Sequence, residues 1–387
     1  MSESPPVHLG VALDGTGWHP ASWREPDARP ADLFKHDYWT DLVAEAERGL
    51  LDFVTIEDGL TLQSDHPWRA DDRTDRVRGR LDAVLIAARV APRTSHIGLI
   101  PTAIVTHTEP FHLSKAIATL DYVSTGRAGI RVQVSARRDA AAHFGRRDIP
   151  ERSPELSEEL FGEATDYVEV LRRLWDSWED DAEIRDVATG RFIDRNKLHY
   201  IDFEGAKFSV KGPSITPRPP QGQPIVAALG HVDHAYRLIA SSADVGFITP
   251  HSADETATLV DEISAARTAS DPVRVFADLV VFLDATAADA AARRARLDEL
   301  AGSEYRSDAE IFAGTPQQLA DLLQEWHAAG LTGFRLRPAT LPHDLRQITE
   351  ALVPELQRRN VFRDAYGAPT LRGLLGLPRP ANRYATA

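Results

Sequence analysis

The chain has 387 residues, of which 43% are hydrophobic and 26% charged, the balance of a soluble globular protein. Its formal net charge of −14 argues against a nucleic-acid partner, which would want a basic face, and no run of 18 apolar residues offers a membrane span. The absence of cysteine excludes disulfides, thiolate catalysis and Cys-ligated metal centres; the opening MSESPPVHLG lacks a signal peptide's basic flank and apolar core, so a cytoplasmic location is expected.

In chain order, eight apolar runs bounded by Gly, Pro or charge read as buried parallel strands: 8–14, 53–58, 95–105, 128–135, 224–230, 245–249, 273–283 and 333–338. Helical patterns alternate with them at 37–50 (with Asp37 as cap), 79–91 (ending at Pro92), 110 to about 123, 158–178, 231–242, about 254–268, about 285–300, 316–329 and about 344–359. The alternation predicts an α/β fold, a (β/α)8 TIM barrel, in a single domain over 1–387. Two spacings are too long for a plain βα turn and predict insertions. One follows strand 1 (WHPASWREPDARP); the other follows strand 4 and includes 179–223, with a small hairpin over 198–210 turning at Glu204-Gly205. The Arg- and Pro-rich extension 361–387 is too polar for another barrel element and is expected to pack across the barrel or a neighbouring subunit.

In such barrels function sits at the C-terminal ends of the strands. That selects Asp14, Asp58, Thr102 to Thr108, Ser135 to Arg138, Gly230 to His234, Thr249 and Arg337. Strand 1 lacks His-x-His and no histidines pair at ligand spacing inside a strand end, so no metal is expected. Neither a Gly-x-Ser-x-Gly elbow nor a Walker A loop is present. A polar mouth without a catalytic dyad is the profile of a protein whose cofactor carries the chemistry.

Taken alone, Asp58 reads first as a helix cap or loop acid, and Thr102 as a buried residue whose hydroxyl needs a partner. Arg131, Arg137, Arg138, Arg146 and Arg147 suit a bound phosphate, sulfonate or carboxylate as well as they suit surface pairing with Asp139 and Asp148. Gly230, before helix 231–242, is a generic anion position. The catalytic residue is left open, with His107 and His19 as candidates, and Trp175 and Trp178 read as core or subunit-interface aromatics.

Several segments together resemble a known family: EDGL at 57–60, EPFHLSKAIATLDYVSTGRAG at 109–129, LWDSWEDDA at 174–182, GPSITPRPPQGQPIV at 212–226, LVPELQRRNVFRDAY at 352–366 and TLRGLLGL at 370–377. These are similar to the bacterial-luciferase-like flavin monooxygenases, in the nitrilotriacetate/dibenzothiophene-sulfone/pristinamycin monooxygenase group, over about residues 8–378. The resemblance implies a homodimer or homotetramer that uses reduced FMN as a dissociable co-substrate from a separate NAD(P)H:flavin reductase. With O2 it would oxygenate a small organic substrate. It also makes Asp58 the flavin-contacting acid after strand 2 and Thr102 the strand 3 hydroxyl.

Departures from the family pattern cluster at the phosphate side. Where the family has Trp-Asn-x-Val-Thr-Ser, this chain has Ile130 to Ser135, keeping only Ser135. The family's His-x-x-x-Tyr pair aligns with Ser157 and Phe161, and the serine that would grip the FMN phosphate aligns with Val232. His231, Arg137 and Arg138 are the available replacements, beside Gly230. Weak FMN binding, F420 as an alternative cofactor, and a non-catalytic barrel all remain compatible with this pattern.

Overall fold

A computed structural model describes residues 6–66, 68–267 and 271–385. Residues 1–5 of the N-terminal stretch, residue 268 of the expected helix 254–268 and the last two residues of the 361–387 extension lie outside the described residues. Eight parallel strands close a barrel: β1 (His8–Leu13), β2 (Phe53–Ile56), β3 (Gly98–Ile104), β4 (Gly129–Gln133), β5 (Ile225–Leu229), β6 (Val245–Ile248), β7 (Arg274–Leu283) and β8 (Gly333–Pro338). Neighbours pair in sequence order and β8 returns to β1, with His8 opposite Gly333. Each strand falls inside the apolar run that predicts it, because strands covered on both sides have no wet face and no reason to alternate. One strand was not anticipated: Glu310–Gly314 pairs with Leu279–Leu283, the upper half of β7, outside the closed ring.

The helices follow the expected pattern with shifts at their starts. The first is α1 (His36–Arg48), with Lys35 rather than Asp37 in the cap position. The second, α2 (Ala83–Val90), starts four residues later than expected because Asp82 caps it, accepting from Leu85 N at 2.9 Å. After α3 (Pro110–Val123), the long α4 (Pro154–Asp176) begins a turn early, capped by Ser153 with Pro154 in the first turn. Then come α5 (Asp233–Ser242), α6 (Ala253–Ala266), α7 (Ala287–Ala301) and, before β8, Pro316–His327 with a Thr315/Gln318 capping box. The expected helix 344–359 is a helical run over 343–358 with a π turn at Ile348–Leu352.

The loop after β1 carries two short 3-10 turns, Ser22–Arg24 and Pro30–Asp32. The segment between β4 and β5 holds a hairpin, Phe203–Glu204 with Ser209–Val210, that turns over 205–208 rather than at Glu204-Gly205 as expected, and a second, unanticipated one, Glu183–Asp186 with Arg191–Ile193. No helix among the described residues is long and apolar enough to cross a membrane.

The C-terminal segment does pack across the barrel, at its base. Leu371, Leu375 and Leu377 join Phe53, Ile100, Ile225, Phe247 and Phe276 in one buried cluster. Gly98 makes this approach possible: a Cβ there would lie 2.4 Å from Leu371 Cδ1. Polar ties fasten the segment. Arg372 donates to Gln223 O and pairs with Asp244, and Tyr366 Oη donates to Leu51 O at 2.9 Å. The base is thus sealed and apolar, which leaves the opposite end for chemistry.

Candidate active site at the barrel mouth

Above the aromatic layer of Phe53, Phe247 and Phe276 the barrel interior becomes ionic. The Arg335 guanidinium lies 4.0 Å from the Phe247 ring centroid and donates Nε to Asp278 Oδ1 at 2.8 Å. Asp278 also accepts from Arg337 Nε at 2.8 Å, and Arg337 reaches upward to Asp308 Oδ1 at 2.6 Å while stacking on Trp18 at 4.5 Å. On the facing wall Arg131 donates to Thr102 Oγ1 at 2.9 Å, to Gln133 and to Glu57. Three buried guanidiniums therefore face one buried carboxylate, Asp278, with the other negative charges from part-buried Glu57 and half-exposed Asp308. The arginines on both sides hold Asp278 below the usual carboxylate range, against the burial that would raise it, and Arg337 is raised by Asp278 and Asp308 against its own burial.

Charges inside β7 and β8 were the missed signal: Asp278 and Arg335 interrupt otherwise apolar runs, and a buried charge is sustained only by a partner. Glu57, Asp308 and Trp18 also escaped the sequence reading. Two buried atoms in the region have no hydrogen-bond partner, Glu57 Oε1 and His107 Nε2. Glu57 Oε1 lies 3.7 Å from Arg335 Nη1, too far for a hydrogen bond. Such orphans mark where a ligand or water would complete the site.

The predicted residues occupy the mouth but are not equally free. Asp58 accepts from Gly59 N at 2.7 Å and Ala83 N at 2.9 Å, so it ties the β2 loop to the start of α2; burial raises its pKa. Thr102 is engaged by Arg131. Ser135 donates its backbone N–H to Thr106 Oγ1 at 2.8 Å, which joins the ends of β3 and β4. Gly230 continues the ladder to Phe247 O, and His231 Nδ1 sits 3.4 Å from Thr249 Oγ1 and 3.6 Å from Asp308. Asp14 is paired with Arg80 across the β1–β2 side of the mouth.

Of the two candidate histidines, His19 is structural. It is 1% exposed, accepts from Ala21 N on Nδ1 and so donates Nε2 to Asp298, pinning the β1 loop to α7. His107 is different: it is 7% exposed, stacks on Phe144 and lines a cavity of about 330 Å3 with Thr106, Thr108, Arg147 and Phe208. Burial, aided by Arg147, lowers its pKa.

The arginine segment divides. Arg137 pairs with Asp139, the surface partner that the sequence offered for it. Arg146 pairs with Glu109 and Arg147 with Glu163, whereas Arg138 donates only Nε, to Ile149 O at 3.1 Å. The other phosphate-side positions are equally committed. Ser157 donates to Ser153 O, and Phe161 stacks on His234, which pairs with Glu158. Val232 precedes α5 without a side-chain cap, and Asp233 places a carboxylate in the first turn.

The comparisons agree with this architecture. The model of the luciferase-like monooxygenase family matches residues 17–333. N-acetyl-S-(2-succino)cysteine monooxygenase of Bacillus subtilis (strain 168) is 33% identical, the match covering 99% of each chain. Nitrilotriacetate monooxygenase component A of Aminobacter aminovorans is 28% identical over 100% of this chain and 99% of its own. EDTA monooxygenase from Chelativorans sp. BNC1 superposes with a TM-score of 0.84 over 97% of this chain and 99% of that one; at 24% identity it shows the shared fold.

Proposed function

The chain belongs to the luciferase-like monooxygenase family, and on that premise we propose that it is the oxygenase component of a two-component, flavin-dependent monooxygenase acting on a small organic substrate. The observation that carries this reading is the end-to-end likeness to relatives named monooxygenases, which spans both chains. The proposal takes 1–387 as one domain, assembled as a cytoplasmic homodimer or homotetramer. Reduced FMN is borrowed from a separate NAD(P)H:flavin reductase, and the mouth residues Asp58, Thr102, Ser135, Gly230 and His231 line its site. His107 is the candidate proton-handling residue, because it is buried and, among the described residues, unpartnered at Nε2.

The fit to FMN differs between its two ends. At the ring end, Glu57 Oε1 is a buried acceptor without a partner. The phosphate end does not fit. Val232 brings no hydroxyl, the Asp233 carboxylate competes for the helix terminus, and Arg137 is already neutralised. The phosphate thus adds little affinity, which suits a borrowed flavin. Anaerobic titration with reduced FMN, reduced riboflavin and reduced F420 tests the reading. Binding of both reduced flavins with similar Kd is expected. Preference for F420 would replace oxygenation by hydride transfer, and binding of none would leave a non-catalytic barrel.

A further inference from the structure

At the rim of the mouth, the segment after β2 and the segment after β4 face each other across a groove of about 710 Å3, lined by His66, Trp68, Arg69, Ala136, Arg138 and Arg152 among others. Ala136 in its lining follows Ser135 and lies three residues beyond the end of β4. The arginines here differ from those elsewhere around the mouth. Arg80, Arg131, Arg137, Arg147 and Arg337 all end on carboxylates. Among the described residues Arg69 and Arg152 have neither an ion pair nor a side-chain hydrogen bond, and Arg138 uses only Nε. Of the two acids in the lining, Asp139 is already neutralised by Arg137, which leaves Glu151 against three guanidiniums. That is a local positive excess in a chain of net charge −14.

The groove also has a flat aromatic wall. Trp68 is 51% exposed, and the Arg152 guanidinium lies over its ring at 4.2 Å. Stacking on the indole holds the guanidinium flat while its edge stays free to donate two parallel N–H bonds to a carboxylate or sulfonate. Ala70, Ala136 and Pro150 add apolar surface, and the volume suits an organic molecule rather than a bare ion. We propose that this groove binds a planar organic anion, a carboxylate or sulfonate on an aromatic or conjugated frame, as the anionic end of the substrate. Its identity as substrate rests on the monooxygenase reading; the binding itself does not. The phosphomonoester of FMN shares the chemistry and is the competing source.

Calorimetric titration with naphthalene-2-sulfonate, against the neutral naphthalene-2-sulfonamide and without flavin, tests the binding. The sulfonate is expected to bind about tenfold or more tighter than the sulfonamide and to weaken with salt. The double substitution Arg69→Ala/Arg152→Ala should reduce sulfonate affinity by about tenfold or more, and Trp68→Ala should weaken both probes. These side chains are exposed, so an unchanged Tm is the control for folding. Equal binding of the two probes, no binding, or an unaffected double variant would overturn the proposal. Anaerobic titration of the double variant separates the two sources. Unchanged affinity for reduced FMN and reduced riboflavin assigns the groove to substrate; loss for FMN alone assigns it to the cofactor phosphate and overturns the substrate assignment. Failure of the monooxygenase reading has its own signature, wild-type protein that binds no reduced flavin while the sulfonate titration stands.

Discussion

At the base of the barrel Leu371, Leu375 and Leu377 press on Phe53, Phe247 and Phe276, while at the mouth Arg131, Arg335 and Arg337 are held by Glu57, Asp278 and Asp308. Both layers fill the same cylinder, one with non-directional apolar contacts and the other with paired charges whose geometry is fixed. Apolar packing depends on volume and accepts an isosteric change, whereas a buried ion pair fails when either partner is lost. The difference separates the layer that stabilises the barrel from the layer that arranges polar groups for a ligand.

Removing the shared acid should break the comparison hardest. Asp278→Ala leaves Arg335 and Arg337 buried without their common partner and is expected to cost about 3–5 kcal/mol in denaturant unfolding. A loss under about 1 kcal/mol would mean that water or Asp308 already compensates these arginines. At the base, Leu371→Ala should cost about 2–5 kcal/mol and Leu371→Met under about 1.5 kcal/mol, a ratio that charge-based packing would not give.

Asp58 joins the two halves of the question, since it is a predicted cofactor contact that the fold also uses. Asp58→Ala orphans the N–H groups of Gly59 and Ala83 and should lower stability by about 1–3 kcal/mol. If the flavin reading holds, reduced-FMN affinity falls in the same variant. The smallest effect concerns the ties of the C-terminal segment. Asp180 accepts from Arg379 and Arg218, which lower its pKa from 3.8 to about 2. A depressed folded-state value means that its contribution is fully present above the unfolded value and is lost as pH falls through about 2. Protection of residues 371–377 against hydrogen exchange, taken relative to the intrinsic exchange rate at each pH, should therefore fall between about pH 4 and pH 2 and be unchanged above it, a window set by the same linkage.

The barrel was legible because its eight strands are apolar runs broken only by a few charges in β4, β7 and β8, and the long β4–β5 spacing announced an insertion. The strand Glu310–Gly314 escaped notice: it is short, half-exposed and pairs on one side only, so its five residues carry no buried run. The hairpin of Glu183–Asp186 and Arg191–Ile193 is likewise short and largely exposed, so Ile184, Phe192 and Ile193 make no buried run. At the mouth, position along a strand identified Asp58, Ser135 and Arg337, but not who would hold whom. Arg137 and Arg138 are adjacent in sequence, and only packing decides that the first meets Asp139 while the second faces a groove. Nor does local sequence reveal that Arg131 would turn inward to Thr102 and Glu57, contacts formed across three strands.

The close approach of Leu371 to Gly98 also bears on the order in which the molecule can be built. Phe53, Ile100 and Phe276 emerge from the ribosome long before residues 371–377 exist to cover them, and β1 waits equally long for its partner β8. A nascent chain therefore carries these apolar side chains uncapped until its last residues are made, and pairings this distant in sequence form slowly. Aggregation on truncation before Leu371 is the expected consequence of where one leucine docks.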